Sequence, residues 1–386
     1  MAPIFSALSP RRIPLSTVSA VHSNNQHATN YQRARPYTRQ MFAHFLAKLD
    51  GATGKPSSTS VVHSKSPPVA AAASPLRASA LAGCVLTLPL RVGPYELLQP
   101  WADEVDWFEA RNVETGAKAL CKVRRTGDAR GMQVAQAESR LAGLDFVNPL
   151  IESRRQSLPV TCDSAVVLAT AAASQEVQFD FHFYPFLNYQ HCLHTHIQAK
   201  GRLPEEEARR LFRQICDIVR CSHEAGVAMR DLKMRRLVWK SDSNRGFLFS
   251  MLDNCTVFDV DKGDGAACEN QATPSYVSPE MCRRPRPSSL SLCKVDIWCL
   301  GIILFALVMG RYPFYDPDTQ RLLQKVAAAR LGPLRPEFSP ELQAMLHALL
   351  HVDPMLRPDI HSVLQHPWLR VAATESRLVP DTPASE

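Results

Sequence analysis

The chain has 386 residues, which is room for one large domain or two smaller ones together with a tail. Its hydrophobic content of 45% supports a buried core, and its net charge of +7 is concentrated at the N-terminus, where the first acidic residue is Asp50. The 11 cysteines include no C-x-x-C pair, which argues against a zinc site or a disulfide framework and favours a reduced intracellular compartment.

Residues 1–90 form a region rich in Ser, Pro, Ala and Arg. We predict that it is basic, of low complexity and disordered, because such a composition buries too little apolar surface to offset the entropy of ordering. The acid-free residues 1–49 are also typical of a mitochondrial transit peptide, so a targeting signal remains an alternative. A folded domain is expected over residues 91–370 and a flexible tail over residues 371–386.

The first half of the expected domain has the pattern of strands. Order is predicted to begin near Tyr95, and a turn is predicted at Glu114–Gly116. Residues 131–144 have helical spacing, and residues 165–186 are predicted to form two strands around a loop. The earlier predicted strands are Tyr95–Leu98, Trp107–Asn112 and Lys118–Val123.

From Leu203 onwards the pattern is helical. The segment Leu203–Gly226 has a proline in its first turn, three glutamates at the positive end of the helix dipole and one apolar stripe. The apolar run Ile297–Gly310 is shorter than the roughly 20 residues that cross a bilayer, so we predict a buried helix there. The other predicted helices are Val295–Met309, Asp318–Ala329, Pro340–Leu350 and Ile360–Gln365.

Several short motifs follow one another along the chain. A predicted strand ends in ALCK at Lys122, and MRDLKMRRLVW occupies residues 229–239. The later motifs are Met251-Leu252-Asp253, ATPSYVSPE at 272–280, DIWCLG at 296–301, DPMLRP at 353–358 and HPWL at 366–369. In this order, over Tyr95–Leu369, they resemble a protein kinase. The resemblance implies an α+β, bilobal fold with a small antiparallel-sheet N-lobe and a larger helical C-lobe.

The resemblance also implies roles for single residues. In kinases, the Lys that corresponds to Lys122 grips the nucleotide phosphates and pairs with a helix carboxylate, here Glu138. A solvated position for Glu138 stays open as an alternative. Arg357 is expected to pair with Glu280, and Asp296 is expected to have a structural role.

Metal binding is where the chain departs from the kinase pattern. Kinases hold Mg²⁺ with the Asp of D-F-G and the Asn of the catalytic loop. The aligned residues here are Met251, a soft thioether, and Arg236, a cation, whereas Mg²⁺ prefers hard oxygen ligands. We interpret Arg236 as making the old metal site cationic, and the stretch Met229–Trp239 as suited to binding acidic or polar peptide surfaces near the groove.

The glycine-rich loop that would cover the phosphates is also missing, because no glycine lies between Leu97 and Ala110. Bulky and acidic side chains stand there instead: Trp101, Asp103, Glu104 and Asp106. We therefore predict a pseudokinase that requires no cofactor, has no metal site and binds ATP weakly or not at all. The retained Asp231 and Lys233 are interpreted as vestigial.

Two alternatives stay open at this point. A local register shift would offer the carboxylate of Asp253 to Mg²⁺ as a hard ligand. The second alternative is that the chain is a weakly active or metal-independent Ser/Thr kinase.

The details of these motifs resemble the Tribbles family. Its members have a catalytic loop like x-x-D-L-K-L-R-K-F-V-F, replace D-F-G by S-L-E and carry an activation segment like CPAYVSPE. Their domain ends in I-L-L-H-P-W-[FL], which is similar to VLQHPWL in this chain. In that family, substrate binding is coupled to release of the tail through this triplet. Met251 stands where the family has Ser, so whether this chain has the same coupling is left open.

The tail carries a further part of this resemblance. Tribbles tails contain D-Q-x-V-P-[DE], which binds an E3 ubiquitin ligase of the constitutive-photomorphogenesis type, and Val379, Pro380 and Asp381 match its core. Pro380 favours an extended backbone and Val379 offers a small apolar anchor. The acid-Gln pair of the motif is replaced by Ser376-Arg377, which is expected to weaken binding.

The resemblance implies an adaptor. Its kinase-like domain would hold a degron from a transcription factor of the CCAAT/enhancer-binding type, while the tail recruits the ligase to promote degradation. His366, Pro367, Trp368 and Leu369 would bind a MAP kinase kinase and modulate that signalling, although packing of Trp368 at the domain end stays open. We expect no nucleic acid or membrane partner, and a location in nucleus and cytoplasm.

Overall fold

The computed structural model describes residues 86–101, 104, 106–160, 175–240, 246–250, 252–266, 273–282 and 290–370. Its first part, which we call the N-lobe (residues 86–187), is built on a six-stranded antiparallel sheet. The strands are β1 (Leu90–Val92), β2 (Tyr95–Pro100), β3 (Trp107–Asn112), β4 (Lys118–Arg125), β5 (Glu152–Val160) and β6 (Gln175–Pro185). Their order across the sheet is β1-β2-β3-β4-β6-β5.

One face of this sheet is apolar and the other is polar. Cys121 and Val123 of β4 pack with Phe179, Phe181 and Phe183 of β6 in a buried cluster. Because side chains alternate along a strand, the residues between them point to the opposite face, which looks toward the rest of the molecule. The register pairs Trp107 of β3 with Lys122 of β4, and this pairing places both residues at the mouth of the cleft described below.

A single helix, α1 (Ala129–Arg140), joins β4 to β5 in the N-lobe. Asp128 caps its start by accepting hydrogen bonds from the backbone N–H groups of Arg130 and Gly131. At its other end, the Arg140 guanidinium donates to the carbonyl oxygens of Ala225, Gly226 and Phe258. These bonds tie the end of α1 to the helical part of the molecule.

The second part, the C-lobe (residues 188–370), is mainly helical. Its first helices are α2 (Leu193–Lys200) and α3 (Glu205–Glu224), and α3 carries three glutamates in its first turn. The buried residues of α3 form one stripe that includes Phe212, Ile215 and Val219. The later helices are α4 (Pro279–Cys282), α5 (Leu292–Met309), α6 (Thr319–Ala328), α7 (Pro340–Leu349) and α8 (Ile360–Gln365).

The central helix α5 is buried along nearly its whole length. Within the described residues it is the one helix that is long and apolar enough to cross a membrane, with a mean hydropathy of 2.2. Its side chains are instead packed inside the C-lobe core, which confirms the predicted buried helix. Gly301 permits this packing, because a Cβ there would lie 2.7 Å from the side chain of Leu350.

Short strands complete the C-lobe and frame its loops. They are β7 (Val227–Ala228), β8 (Leu237–Trp239), β9 (Phe247–Phe249), β10 (Thr256–Val257), β11 (Gly265–Ala266) and β12 (Leu290–Ser291). β7 pairs with β10 and β8 pairs with β9, so the segment between β7 and β8 lies beside the segment between β9 and β10. These two segments contain the residues to which the kinase resemblance assigns catalytic and metal-binding positions.

The bilobal α+β fold expected from the resemblance is confirmed. The strands from Tyr95, Trp107 and Lys118 and the C-lobe helices α3, α5, α6, α7 and α8 lie within a few residues of their predicted positions. The chain is already ordered at Leu86, whose side chain is buried, so order begins before Tyr95. The elements that were not predicted include strands β1 and β5 and helices α2 and α4, and residues 165–174 lie outside the described residues.

Candidate functional site

The candidate site is the cleft between the two lobes, and its floor is the segment from Met229 to Arg236. Asp296 of α5 accepts hydrogen bonds from the backbone N–H groups of Met229 and Arg230, each at 2.8 Å. Since Asp296 is fully buried in the core helix, it fixes the backbone that presents Asp231 to the cleft. The structural role predicted for Asp296 corresponds to this contact.

Arg236 is the most buried cation of the cleft, with no exposed surface. It donates to Asp231 from Nη2 at 2.8 Å and from Nε at 3.1 Å, and Nη2 also lies 2.9 Å from Glu104. Glu104 comes from the connection between β2 and β3, where kinases carry the glycine-rich loop. Arg236 itself is therefore not available to an acidic peptide surface, because its charge is paired and buried.

Lys233 completes this lower cluster. Its Nζ lies 3.2 Å from Asp231 Oδ1, 3.3 Å from Thr273 Oγ1 and 3.9 Å from Glu104 Oε1. Asp231 thus shares its two oxygens between two cations.

Asp253 forms a second, upper cluster with cations of the N-lobe. Its Oδ1 lies 2.6 Å from Arg124 Nη2, and its Oδ2 lies 3.2 Å from Lys122 Nζ and 2.5 Å from Trp107 Nε1. Burial by itself would raise the pKa of Asp253, but these partners hold that pKa well below its ordinary value. The alternative in which Asp253 serves Mg²⁺ is disfavoured, because a metal would have to displace two buried cations.

The predicted pairing of Lys122 with Glu138 does not occur between these two described residues. Glu138 instead accepts a hydrogen bond of 2.6 Å from the Tyr184 hydroxyl, and burial raises the pKa of its carboxyl group. Burial also lowers the pKa of Lys122, an effect that Asp253 opposes. The solvated position allowed for Glu138 is likewise not found, since its surroundings are largely buried.

Aromatic and aliphatic side chains fill the remainder of the cleft. Trp101 and Trp107 lie with their ring centroids 6.0 Å apart, and Trp107 is 5.3 Å from the ring of Tyr184. The buried cluster to which they belong, drawn from both lobes, consists of Trp101, Trp107, Leu120, Tyr184, Leu187, Cys192 and Val238. A cavity of about 10 Å³ remains beside Glu138 and Asp253, which is room for about one water molecule.

The cleft residues do not fit a Mg²⁺–nucleotide complex. Arg236 stands at the position of a metal ligand, and the oxygens of Asp231 and Asp253 are bonded to cations. Glu104 lies over the floor where phosphates would lie, and it would repel them. Among the described residues, no group of three or more His, Cys, Asp or Glu side chains is placed to hold a metal.

Reasoning from the sequence missed Arg124 and Tyr184 as residues of the cleft. Arg124 follows Lys122 by two positions, and the period of a strand places both on one face. The alternation of side chains along the strand could therefore have identified Arg124 as a residue of the cleft. No comparable signal marked Tyr184, because its contact with Glu138 joins residues 46 positions apart.

Two structural predictions concern the C-lobe. The Arg357 guanidinium donates to both oxygens of Glu280, at 2.8 and 2.6 Å, and both residues are buried, as expected. In the HPWL segment, Trp368 and Leu369 are fully buried, and Trp368 Nε1 donates to Glu205 at 2.7 Å. Of the residues proposed for a MAP kinase kinase, only His366 and Pro367 therefore reach the surface.

Other predicted site residues lie outside the described residues. These are Met251 of the pseudo-D-F-G triplet, whose neighbour Leu252 is buried beside Asp253, and Val379, Pro380 and Asp381 of the tail. Their assignments stay predictions from the sequence.

Comparison with known proteins identifies the family. The protein kinase domain family matches residues 166–369, which is more than half of the chain. Tribbles homolog 3 of Bos taurus is 29% identical over 76% of this chain and 74% of its own length. Tribbles homolog 1 of Homo sapiens is 28% identical over 72% and 67%, and Tribbles homolog 1 of Mus musculus is 32% identical over 46% and 46%.

The chain belongs to the protein kinase domain family, and it is similar to Tribbles homologs. Within this family the cleft of the chain is the counterpart of the nucleotide site. The cleft of this chain contains paired cations and packed indole rings.

Proposed function

We propose that this Tribbles-type protein is a catalytically inactive adaptor. The observation that carries the proposal is the pairing of Arg236 with Asp231 and Glu104 in the cleft. Phosphoryl transfer depends on metal ions that neutralise the phosphates and on a carboxylate that orients the acceptor hydroxyl. A buried arginine that takes the metal position and binds that carboxylate removes both functions at once.

Phosphate transfer tests this part of the proposal. We expect the full-length chain to show no transfer to a generic Ser/Thr substrate, and no thermal shift with ATP, whether Mg²⁺ is present or chelated. Asp231→Ala serves as the matched variant, and Asp217→Ala, on the surface of α3, serves as the control. Robust transfer that Asp231→Ala abolishes and Asp217→Ala preserves would contradict the proposal.

A metal-independent Ser/Thr kinase is the second candidate, because one feature of the cleft favours it. The Lys233 ammonium group lies within hydrogen-bonding reach of both the Asp231 carboxylate and the Thr273 hydroxyl. The same transfer assay separates the candidates, since this kinase would work equally well with and without Mg²⁺.

We further propose that the tail recruits an E3 ubiquitin ligase of the constitutive-photomorphogenesis type. The support is the match of Val379, Pro380 and Asp381 behind a Tribbles-type domain. The kinase-like domain would present a transcription factor of the CCAAT/enhancer-binding type to this ligase. Two weak contacts on one chain raise the effective concentration of the substrate at the ligase without any chemistry.

Peptide binding tests the recruitment step. A peptide covering Glu375–Thr382 is expected to bind the substrate-recognition domain of the ligase, and the double change Val379→Ala and Pro380→Ala is expected to abolish binding. Ser376→Ala, outside the matched core, should leave the affinity within about twofold. Equal binding of the double variant and the native peptide would rule out this recruitment.

Modulation of MAP kinase signalling and a nuclear and cytoplasmic location remain part of the proposal. A MAP kinase kinase would contact the surface around His366 and Pro367, because Trp368 and Leu369 are inside the core. Purification of partners with and without residues 371–386 would separate tail-dependent partners from domain-dependent ones. Imaging of the uncleaved chain in the nucleus and cytosol would exclude the mitochondrial alternative.

A further inference from the structure

The edge strand β5 carries two adjacent arginines close to a serine. Arg154, Arg155 and Ser157 lie in the segment RRQSL, and all three are exposed. The residue that follows the serine, Leu158, is buried. No other Arg-Arg pair in the chain is followed by Ser or Thr at this spacing. The segment therefore places an accessible hydroxyl at a fixed distance from two accessible cations.

The fold presents this segment at an edge of the N-lobe sheet. In the order β1-β2-β3-β4-β6-β5, the strand β5 is last, and it pairs along its length with β6. Among the described strands, none pairs with its other side, which is where an edge strand accepts an additional extended chain. An enzyme that binds an extended peptide therefore does not have to impose that conformation on β5.

Both arginines already contact carboxylates, at the surface of the sheet. Arg154 donates to Glu152 of the same strand at 2.8 and 3.1 Å, and Arg155 Nε lies 2.7 Å from Asp180 of β6. The two arginine side chains are 41% and 61% exposed. Because exposed ion pairs contribute little to stability, carboxylates of an incoming protein can replace these partners at small cost. The arginine pair therefore fits an acidic groove.

We propose that Ser157 is a phosphorylation site for a separate Ser/Thr protein kinase with an acidic substrate groove. Carboxylates of that groove bind Arg154 and Arg155 and place the serine hydroxyl beside Mg²⁺-bound ATP. Ser157 Oγ forms a bond to the γ-phosphorus, the bond from that phosphorus to its bridging oxygen breaks, and ADP leaves. The hydroxyl proton passes to the catalytic aspartate of the kinase. The chain is the substrate here, so the inference does not depend on its adaptor role.

The phosphate changes the charge of the sheet edge. Arg155 and Ser157 are two positions apart in the strand, so they lie on the same face, and Ser157 is opposite the uncharged Gln178 of β6. A phosphoserine carries a charge of about −1.5 to −2 near pH 7. It competes with Asp180 for the Arg155 guanidinium. The modification therefore converts a charge-balanced edge into an anionic one.

The experiment uses the folded full-length chain, ATP and the catalytic subunit of cyclic-AMP-dependent protein kinase, a probe that prefers arginines before its serine. Mass spectrometry is expected to find phosphate on Ser157. Arg154→Gln and Arg155→Gln should each lower the rate at this serine roughly tenfold or more, because each loses charge-assisted hydrogen bonds to the kinase. Arg111→Gln, at an exposed arginine of β3 that pairs with Glu96, is the matched control and should leave the rate unchanged.

A peptide covering Glu152–Val160 separates recognition of the sequence from access in the fold. Ser157→Ala removes an exposed hydroxyl, so it should abolish the signal and leave the melting temperature within about 1 °C. Ser153→Ala, at an exposed serine of the same strand that no arginine precedes, should retain the signal. Phosphate on Ser157 of the peptide or the heat-denatured chain, but not of the native chain, would overturn the proposal. Equal rates in the arginine variants and the wild type would overturn it as well.

Discussion

Among the described residues, two buried ionic regions use the same chemistry in different places. In the C-lobe, Arg357 binds Glu280 through two parallel hydrogen bonds, and it also donates to the carbonyl oxygens of His351 and Lys294. In the cleft, Asp231 and Asp253 each accept from more than one cation, and those cations come from both lobes. The first region joins neighbouring elements of one lobe, whereas the second joins the two lobes.

The difference shows which parts of the kinase pattern the fold itself requires. Glu280, Asp296 and Arg357 keep their residue types and their expected contacts, because they support loops around the core helix α5. The positions that serve a metal carry Met251 and Arg236 instead. The chain keeps residues that support the C-lobe architecture, and its sequence has Met251 and Arg236 at the positions where kinases place their metal ligands.

The largest effect is expected from breaking the C-lobe pair. Arg357→Ala leaves Glu280 buried without its partner, which should lower the free energy of unfolding by about 3 to 5 kcal/mol. Arg335→Ala removes a cation from an exposed pair with Glu337 and should change stability by no more than about 1 kcal/mol. Urea denaturation of both variants measures the difference. Similar losses of stability would mean that the buried pair stabilises the fold no more than the exposed pair does.

A smaller loss of stability is expected from removing a large aromatic side chain from the cleft. Trp101 is 4% exposed, so Trp101→Ala should lower the free energy of unfolding by about 3 kcal/mol through lost burial and a new cavity. Leu98→Ala, at a residue 41% exposed on the preceding strand, is the control and should change stability by less than about 1 kcal/mol. Equal losses in chemical denaturation would indicate that the indole does not pack into the cleft as described.

The smallest effect concerns Asp106, beside the upper cluster. Burial raises the pKa of this carboxyl group to about 6, so its ionised form opposes folding above that pH. The opposition is relieved as the pH falls through 6 and is gone near the unfolded pKa of 3.8. Asp106→Asn lacks this titration, and Asn tolerates the positive φ of 61° at this position.

The variant should therefore exceed the wild type in unfolding free energy by about 1 to 2 kcal/mol at pH 7.5, allowing for partial exposure. The advantage should shrink toward zero near pH 4. Urea denaturation across this range measures it, with Asp145→Asn as the control at an exposed carboxylate. A pH-independent advantage would show that the benefit does not come from the titration of Asp106.

Much of the fold could be predicted from local patterns. The glutamates and apolar stripe of Leu203–Gly226 predict α3, and the alternation of Lys118–Val123 predicts β4. Strand β5 was missed because its sequence, ESRRQSLPV, is polar and contains a proline at the edge of the sheet. Helix α2 was missed because its histidines and small apolar content give no clear amphipathic stripe.

The site was less predictable than the fold. The order of the motifs along the sequence assigned five residues to one cleft: Lys122, Asp231, Lys233, Arg236 and Asp253. All five lie in the cleft of the structure. Their partners could not be predicted, since Glu138 was assigned to Lys122 and instead binds Tyr184. Each ion pair depends on which side chains are nearest after two lobes have packed together.

The sequence by itself determined the kinase-like architecture and the loss of residues suited to Mg²⁺, because both follow from residue type and order. Only the tertiary structure decided which side chains pair with one another in the cleft. Buried charges must be compensated at distances of a few ångströms, and the sequence does not encode such distances between residues as far apart as Arg124 and Asp253. Their pairing places a carboxylate of the C-lobe on a cation of the N-lobe, which residue type and order alone do not reveal.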